Sequence, residues 1–378
     1  MAFWRRLEPG HKKAANQLQQ RTNICRVSRE NTMSNMKFLY VGTLYEGETC
    51  YDRMCAMRDI GLNVLPFDTS SYIEAGTRIT RSLRHRLKMG INVRKLNQDL
   101  LETAAKQNGI THIWFDKATL IWPTTLKKLK EITSAFLIHY TPDPQIMLHR
   151  SRHYIKSIPL YDMIFTTKAF EVGLHGNLGA RSVHLTHQSY NKNRFCPRQL
   201  TKEDVLKYKT DVAFVGHYER YRAKCIKAIV DMGSGVKIWG GYWSRYAYRH
   251  LWAKKIIMGN GVLGEEYCKA LSSASICLGF LSKLIPETTT TRSFEIPASG
   301  SFMLAERTKE HMQLFEEGKE AEFFSSIEEL VEKVRYYLDN PQKRQEIADA
   351  GRQRCLKSGY SYQDRLKEIL EKIEGIRN

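Results

Sequence analysis

Short apolar segments, four to seven residues long, recur along this chain and alternate with stretches in which apolar residues have helical spacing. A short apolar run bounded by polar residues or glycine is typical of a strand that is buried on both faces. The predicted strands lie within residues 36–42, 62–67, 110–115, 135–140, 161–166, 181–186, 211–217, 236–239, 276–280 and 301–305.

Helices are predicted between these strands, near residues 48–60 and 126–133 and over residues 328–338, 341–358 and 362–373. A further predicted helix ends at residue 230. Strands that alternate with helices imply a parallel sheet with helices on both faces, which is the doubly wound α/β architecture. Ligands of such sheets bind beyond the carboxyl ends of the strands. The residues that directly follow each strand are therefore the first candidates for a functional site.

The pattern is interrupted once, because residues 192–209 are polar and irregular and the strands begin again at residue 211. A chain of 378 residues is long enough for two sizeable cores. We therefore predict two Rossmann-like domains, residues 36–200 and residues 201–378, preceded by an extension of residues 1–35.

The extension carries seven Lys and Arg against two Glu, a net charge of +5, and has no apolar segment typical of a secretory signal. We expect it to be a flexible basic arm that the protein does not need. Alternatively, translation starts at Met33 or Met36, directly before the first strand.

The overall composition predicts a soluble cytoplasmic protein. Mean hydropathy is −0.45, and no apolar run approaches the roughly 18 residues of a membrane span. The eight cysteines are scattered without a C-x-x-C pair, so neither a zinc site nor a disulfide framework is indicated.

The formal net charge of +19 favours anionic partners: nucleic acid, anionic lipid or a phosphorylated substrate. Nucleic acid is not expected, because none of its recognition motifs occurs. Residues 78–89 form a predicted basic helix with Ile79, Leu83 and Leu87 on one face. It can lie on an anionic membrane, or pack its apolar stripe on the domain and leave its cations in water; we expect the second.

Residues 286–300 combine a loop, a short helix and a turn, and lead into a buried strand. The four threonines 288–291 offer a helix N-cap, and Gly300 stands where a helix C-terminal glycine is expected. Arg292 and Glu295 share one helix face. A guanidinium can bind two phosphate oxygens and a carboxylate can accept from two ribose hydroxyls, although this spacing also fits an ordinary surface pair.

Residues 292–306 resemble the donor-site segment of the CgeB-type, spore-maturation-like glycosyltransferases, a branch of the two-Rossmann-domain (GT-B) enzymes. The similarity covers most of residues 36–375. Its further matches lie at residues 161–168, 177–181, 187–191, 315–324, 328–330 and 336–341.

This resemblance implies two domains facing a cleft, with the acceptor on the first, the nucleotide-sugar on the second, and the last helix packed back on the first. The nucleoside-diphosphate-sugar is a co-substrate, and neither a cofactor nor a bound metal is expected. The donor-side residues that it implies are Gly216, Arg220, Arg222, Tyr242, Lys283, Glu287, Arg292 and Glu295, and the acceptor-side loop holds Gly42 and Thr43.

A catalytic base is sought at the carboxyl ends of the first-domain strands. Asp143 follows such a strand and is held between two prolines, so its carboxylate can take a proton from an acceptor hydroxyl. His139 is the second candidate and Asp116 the third. Asp143 also fits a turn residue that bonds its own backbone.

Two other motifs carry less weight. Residues 259–264 match G-x-G-x-x-G, but they lie within a domain, and we interpret the match as coincidental. Residues 243–255 interleave aromatic and basic side chains, which suits single-stranded nucleic acid, although we expect the rings to pack under a solvated face.

We therefore predict a glycosyltransferase of the hexosyltransferase type that acts in surface polysaccharide or glycoconjugate synthesis. Its acceptor is a sugar, a lipid-linked group or a protein, and its place is the cytoplasm or the inner face of the membrane. Two alternatives remain: a nucleotide-sugar epimerase on the same fold, and a non-catalytic protein on this fold that binds polyanions or nucleic acid.

Overall fold

The computed structural model describes residues 36–148 and 151–377. The predicted basic extension of residues 1–35 lies outside the described residues. Two six-stranded parallel sheets with helices on both faces make up the described part, which confirms the predicted α/β class. Each sheet with its helices is called a domain below.

The first domain is built on a sheet with strand order β2-β1-β3-β4-β5-β6. Its strands are β1 (Lys37–Gly42), β2 (Asn63–Asp68), β3 (His112–Asp116), β4 (Phe136–Thr141), β5 (Met163–Thr166) and β6 (Val183–Leu185). Its helices are α1 (Thr49–Asp59), α2 (Ser70–Glu74), α3 (Arg78–Leu87), α4 (Ile91–Lys106), α5 (Pro123–Thr133), α6 (Arg152–Ser157) with the 3₁₀ turn Ile158–Leu160, and α7 (Ala169–Asn177).

The second domain is built on a sheet with strand order β12-β11-β10-β7-β8-β9. Its strands are β7 (Thr210–Val215), β8 (Val236–Trp239), β9 (Ile257–Gly259), β10 (Ala274–Gly279), β11 (Met303–Glu306) and β12 (Glu322–Phe324). Its helices are α8 (Lys202–Tyr208), α9 (Arg220–Asp231), α10 (Trp243–Ala247), α11 (Leu251–Lys254), α12 (Gly264–Ser272), α13 (Arg292–Ala298), α14 (Lys309–Leu314), α15 (Ile327–Asp339) and α16 (Pro341–Lys357).

The predicted strands all lie in these sheets, but the edge strands β9 and β12 were not predicted. Each has only three residues, and β12 begins with the charged Glu322. An edge strand pairs on one side only, so it needs neither the length nor the continuous apolar run of a central strand. The G-x-G-x-x-G motif begins at the end of β9 and leads into α12, at the edge of the sheet and away from its centre.

Apolar clusters cover both faces of each sheet, as parallel strands require. The final helix, α17 (Tyr362–Arg377), belongs to a cluster of the first domain, although the chain has by then passed through the second. Its Leu366, Ile369, Leu370 and Ile373 are buried. Burial of such a side chain contributes roughly 1.5–3 kcal/mol, so α17 holds the two domains together.

The basic helix α3 has the opposite orientation to the one that we expected. Its apolar stripe faces outward: Ile79 is 73 % exposed and Leu87 60 %. The buried side chain is Arg84, which donates to the carbonyls of Ile73 and Ala75 at 2.6 and 2.7 Å. The prediction of a packed stripe was therefore wrong, because two backbone carbonyls fix the arginine side of the helix against the domain.

None of the helices within the described ranges is long and apolar enough to span a membrane.

Candidate functional site in the cleft

Each sheet has one point at which its strand order reverses, between β1 and β3 in the first domain and between β7 and β10 in the second. Ligands of open α/β sheets bind outside the carboxyl ends of the strands at this point. Residues 42–43 and 117 follow the first pair of strands, and residues 216–217 and 280–283 follow the second. Loops from the carboxyl ends of both sheets meet in the cleft between the domains.

Side chains connect the two domains directly across this cleft. Lys168, after β5, pairs with Glu287 at 2.7 Å, and His187, after β6, bonds Glu310 of α14 at 2.9 Å. The second oxygen of Glu287 accepts from the backbone N–H of Ser282 at 2.8 Å. Both oxygens of Glu287 are thus engaged, so this carboxylate, which the resemblance placed among the donor-side residues, joins the two domains.

Two arginines lie at the carboxyl end of β7. The guanidinium carbons of Arg222 and Arg292 are each 5.8 Å from the centre of the Phe214 ring. Burial, together with the charge of Arg292, lowers the pKa of Arg222 to about 10. Two cations held together in this way repel each other, so an anion placed between them would be stabilised.

The contacts of the two arginines differ. Arg222 donates to the carbonyl of His217 at 2.9 Å and pairs with Glu219 at 2.8 Å. Arg292 donates to the carbonyl of Phe280 at 3.2 Å, and no carboxylate within the described residues lies within ion-pair distance of it. The Nε atoms of both are buried without a hydrogen-bond partner in residues 36–148 and 151–377. Of these two arginines, Arg292 is therefore the one without a counter-charge among the described residues.

The loop after β7 is fixed by close backbone packing. A Cβ on Gly240 would lie 1.9 Å from the carbonyl oxygen of Gly216, so only glycine fits there. Trp243 donates to the same oxygen at 2.9 Å, and Gly241 donates its N–H to Nδ1 of His217 at 3.2 Å. Nδ1 is therefore an acceptor. Burial and the two arginines lower the pKa of His217 and keep its ring neutral.

Glu295 is buried on α13 and accepts from the Tyr267 hydroxyl at 3.0 Å. Burial raises its pKa to about 7, although Tyr267 and the nearby Arg292 act in the opposite direction. This carboxylate therefore changes charge near neutral pH. It lies on the same short helix as Arg292, as the sequence predicted.

The threonines before α13 have a different role from the predicted N-cap. Thr288 and Thr289 donate to the carboxylate of Glu310. The N-cap residue, Thr291, makes no side-chain cap bond, and the hydroxyl of Ser293 inside the helix accepts from the N–H of Thr290 at 3.1 Å. The threonines thus attach the loop to α14, and the prediction that they cap α13 was wrong.

Three other candidates on the donor side have contacts of their own. Lys283 pairs with Glu306 and stacks on Tyr221, with its Nζ 4.8 Å from the ring centre. Arg220 and Tyr242 line an outer cavity of about 1210 Å³ among aromatic and basic residues of α9, of α10 and of the segments next to them. Arg220 therefore lines the outer cavity, which Arg222 does not line, and Lys283 already has a counter-charge.

On the acceptor side, Asp143 pairs with Lys117 at 3.1 Å. Both line a cavity of about 210 Å³ that also contains Thr43. Gly42 is buried at the end of β1, and its carbonyl accepts from the N–H of Thr69 at 2.9 Å. Asp143 thus lies where a bound molecule would meet it, with a cation beside it.

Asp143 also lies close to the ion pair of Lys168 and Glu287 that connects the domains. The carbonyl of Pro142 accepts from the hydroxyl of Thr167 at 2.9 Å, and Thr167 precedes Lys168. β4 and β5 are neighbours, with Thr141 opposite Thr166. Asp143 therefore lies beside the end of β5, from which Lys168 contacts the loop of the second domain.

The second candidate base, His139, does not fit its placement. It is fully buried against Tyr154 and Tyr161, with ring centres 5.1 and 4.8 Å away. Neither ring nitrogen has a partner within the described ranges, and burial lowers the pKa to about 3. A neutral side chain enclosed in this way cannot meet an acceptor in the cleft.

Asp116 has a structural role rather than that of a base. Its carboxylate receives two guanidinium bonds from Arg53, at 2.6 and 2.7 Å, and the Tyr40 hydroxyl at 2.5 Å. These contacts hold its pKa below the ordinary value, against the effect of full burial. The Arg53 guanidinium also lies 5.4 Å from the Tyr362 ring of α17, so this pair stabilises the packing of the final helix.

Sequence reasoning did not find Lys117, Lys168, His217 or Tyr267. The first three lie within two residues of the ends of strands β3, β5 and β7, and this position alone was a signal. Tyr267 lies on α12, and nothing in its local sequence relates it to Glu295. Within the residues that the structure describes, no group of three or more His, Cys, Asp or Glu side chains is placed to hold a metal ion.

Comparison with protein families gives one match. Residues 220–371 match the family model described as glycosyl transferase-like. This segment contains Arg222, Arg292 and Glu295. No curated protein matches the chain in a sequence comparison.

Solved structures resemble the whole described architecture at low sequence identity. HepE of Anabaena, in complex with UDP-glucose, has 13 % identity and a TM-score of 0.61, with 90 % of this chain and 100 % of that one covered. Sucrose-phosphate synthase of Thermosynechococcus elongatus has 12 % identity and a TM-score of 0.63 at the same coverage. A glycosyltransferase of Rickettsia africae has 13 % identity and a TM-score of 0.61, with 91 % and 99 % covered. These likenesses establish the two-domain Rossmann-like fold.

Proposed function

We propose that this protein is a glycosyltransferase that transfers a sugar from a nucleoside-diphosphate-sugar to an acceptor. The observation that carries the proposal is the pair Arg222 and Arg292, which both lie against Phe214 at the strand-order reversal of the second sheet. Glu295 lies on the same short helix as Arg292. The family match over residues 220–371 includes all three residues and supports it.

The donor is assigned to the second domain. Arg292 binds the diphosphate, since its charge has no carboxylate partner within the described ranges, and Arg222 adds a second positive charge. Glu295 in its ionised form accepts from the ribose hydroxyls. As the bond between the sugar and the diphosphate breaks, negative charge grows on the leaving phosphate, and the two guanidinium groups stabilise it. In this proposal they supply the positive charge without a metal ion.

The acceptor is assigned to the first domain. Asp143 takes the proton from the acceptor hydroxyl as its oxygen attacks the anomeric carbon, and the sugar–phosphate bond breaks. Lys117 places its positive charge 3.1 Å from the Asp143 carboxylate and helps to fix its position. Lys168 and Glu287 fix the donor loop next to this strand end, which keeps the two reacting groups close.

The outward stripe of α3 supports contact with an anionic membrane surface. Ile79, Leu83 and Leu87 are exposed, and Arg81 and Arg86 are exposed on the same helix. Apolar side chains that enter the headgroup region, flanked by cations, are typical of interfacial helices. We therefore propose a cytoplasmic enzyme that binds the inner membrane face peripherally.

The finer assignments rest on the resemblance of residues 292–306 to the CgeB-type enzymes. They are a hexosyl group as the transferred sugar and a role in surface polysaccharide or glycoconjugate synthesis. The net charge of +19 fits a lipid-linked or otherwise anionic acceptor better than a neutral one.

The test is a calorimetric titration with UDP, together with a thermal-shift screen of nucleotide-sugars and a product assay. Wild-type protein should bind the nucleotide, and Arg292→Met should bind it roughly 10- to 100-fold more weakly. Arg335 is exposed on α15, so Arg335→Met is the matched control and should bind as wild type does. Equal binding by all three proteins would refute the donor site. Sugar conversion without an added acceptor would indicate an epimerase instead.

A further inference from the structure

The cavity in the first domain contains more than the candidate base. Its volume of about 210 Å³ far exceeds the roughly 10–15 Å³ that one water needs. Its lining includes Asp143, Lys117, Lys88 and Gln145. Two of these residues, Lys88 and Gln145, have no role in the reaction proposed above.

Both lysines of this cavity have an unusual backbone conformation. Four non-glycine residues in the described part have positive φ, and two of them are Lys88 at 53° and Lys117 at 54°. A left-handed conformation costs energy for a residue with a Cβ, and such residues concentrate at ligand sites. Lys88 ends α3, and its carbonyl accepts from the Trp122 indole at 3.0 Å, which holds it in place.

Lys88 is a buried cation without a counter-charge. The residue is 6 % exposed, and among the described residues its ammonium group has one hydrogen bond, a long one of 3.4 Å to the hydroxyl of Thr119. No carboxylate of residues 36–148 or 151–377 pairs with it, since Asp143 and Asp116, which line the same cavity, pair with Lys117 and Arg53. Burial alone lowers its pKa. A buried charge of this kind normally has a partner.

Gln145 supplies the complementary chemistry. Its residue is 2 % exposed, and its amide oxygen is buried without a hydrogen-bond donor within the described ranges. Its backbone is fixed, because its N–H donates to the carboxylate of Glu171 at 3.0 Å. A buried amide oxygen that lacks a donor is costly unless a ligand hydroxyl completes it.

We infer that this cavity is a subsite for a hydroxylated oxyanion, a sugar phosphate, whose phosphate pairs with Lys88 and whose hydroxyl donates to Gln145. This rests on the proposed function, in which Asp143 in the same cavity deprotonates the acceptor. The acceptor is thus a phosphorylated sugar, either free or linked through its phosphate to a lipid. Lys88 and Gln145 select it, and neither takes part in the chemical step.

The experiment measures binding of inorganic phosphate and of glucose 6-phosphate by calorimetry, in the presence of saturating UDP. Lys88→Met keeps the length of the side chain and removes its charge, and it should bind both probes about 10- to 100-fold more weakly than wild type. Gln145→Leu should weaken glucose 6-phosphate and leave inorganic phosphate unchanged. Lys95 has a side chain 65 % exposed on α4, so Lys95→Met is the control and should bind as wild type does.

The melting temperature shows whether a loss of binding is specific. Lys88→Met removes an unpaired buried charge, so it should be at least as stable as wild type while it loses phosphate. Equal phosphate affinity of Lys88→Met and wild type would overturn the subsite. The subsite would also be overturned if Lys88→Met melted at a lower temperature than wild type and Gln145→Leu lost affinity for both probes equally, because that result indicates a damaged fold.

Two further arms identify the source of the phosphate. Phosphatidylcholine vesicles with a polyprenyl phosphate are compared with phosphatidylcholine alone, and binding of the first that depends on Lys88 indicates a lipid-linked acceptor. Competition by glucose 6-phosphate without vesicle binding indicates a free one. UDP binding by Lys88→Met and phosphate binding by Arg292→Met separate the two proposals. If UDP binding does not depend on Arg292, the donor site fails while the Lys88 result stands. If phosphate binding does not depend on Lys88, the subsite fails while the Arg292 result stands.

Discussion

Lys168 and Glu287 form an ion pair between the two domains, with 2.7 Å between Nζ and Oε1 and side chains only 5 % and 11 % exposed. One residue follows a strand of the first sheet, and the other belongs to the loop that leads to Arg292. The pair therefore fixes the distance between the strand end that carries Asp143 and the loop of the second domain.

We expect Lys168→Met to lower the free energy of unfolding by about 3–5 kcal/mol, because it leaves the Glu287 carboxylate buried without its partner. The double variant Lys168→Met with Glu287→Gln should recover part of this loss, since no charge is then left unpaired. Urea denaturation of wild type, Lys168→Met, Glu287→Gln and the double variant gives the coupling energy.

A matched control is the exposed pair of Lys319 and Glu316, at 3.0 Å. Lys319→Met should change stability by less than about 1 kcal/mol. If the losses in the Lys168 and Glu287 variants simply add, the two side chains do not act as a pair, and the cleft is held by other contacts.

Glu295 predicts a dependence of stability on pH. Burial raises its pKa to about 7 from 4.5. A carboxyl group with a raised folded pKa stabilises the fold fully below its unfolded pKa and loses that contribution as the pH rises through the folded value. Between pH 5 and pH 8, wild type should therefore lose about 2–3 kcal/mol relative to Glu295→Gln, measured by urea denaturation at both values.

Nucleotide binding should change in the opposite direction over the same range. The ionised carboxylate accepts from both ribose hydroxyls, so UDP affinity of wild type should rise as the pH passes about 7. Glu295→Gln should bind UDP more weakly and show a flatter profile. A wild-type profile as flat as that of the variant would exclude Glu295 from the nucleotide site.

Asp143 and Asp116 should differ in which property their replacement changes. Asp143→Asn should keep UDP affinity and lower turnover roughly 10²–10⁴-fold, because it removes the base. It should change the melting temperature little, because the ion pair with Lys117 that it also removes is partly exposed. Asp116→Asn should lower the stability by about 3–5 kcal/mol, because it breaks the buried pair with Arg53. Normal turnover of Asp143→Asn in the product assay would disprove its role.

The outward face of α3 should bind membranes. Leu83→Ser with Leu87→Ser removes exposed apolar area, and Arg81→Gln with Arg86→Gln removes exposed charge. Each pair should weaken sedimentation with anionic vesicles, and only the loss from the arginine pair should shrink in high salt, where charges are screened within a few ångströms. Arg335→Gln is the control on another surface. Unchanged sedimentation by both pairs would leave α3 an ordinary surface helix.

The order of elements could be read from the sequence because it depends on local pattern. Buried parallel strands need apolar runs, and glycines with left-handed backbone end helices, as Gly300 does with φ of 73°. The placement of Arg292 and Glu295 on one short helix is local as well, and so it was predicted.

What only the tertiary structure decided is which side chains meet across long separations. Residues 168 and 287 are 119 apart, and no local pattern relates them. The orientation of α3 followed from the two backbone carbonyls that hold Arg84, because an amphipathic pattern gives a stripe but not the side that the domain covers. Burial decided the rest: it removed His139 from the cleft, committed Asp116 to Arg53 and left Lys88 without a counter-charge, since the cost of a charge depends on surroundings that the sequence does not list.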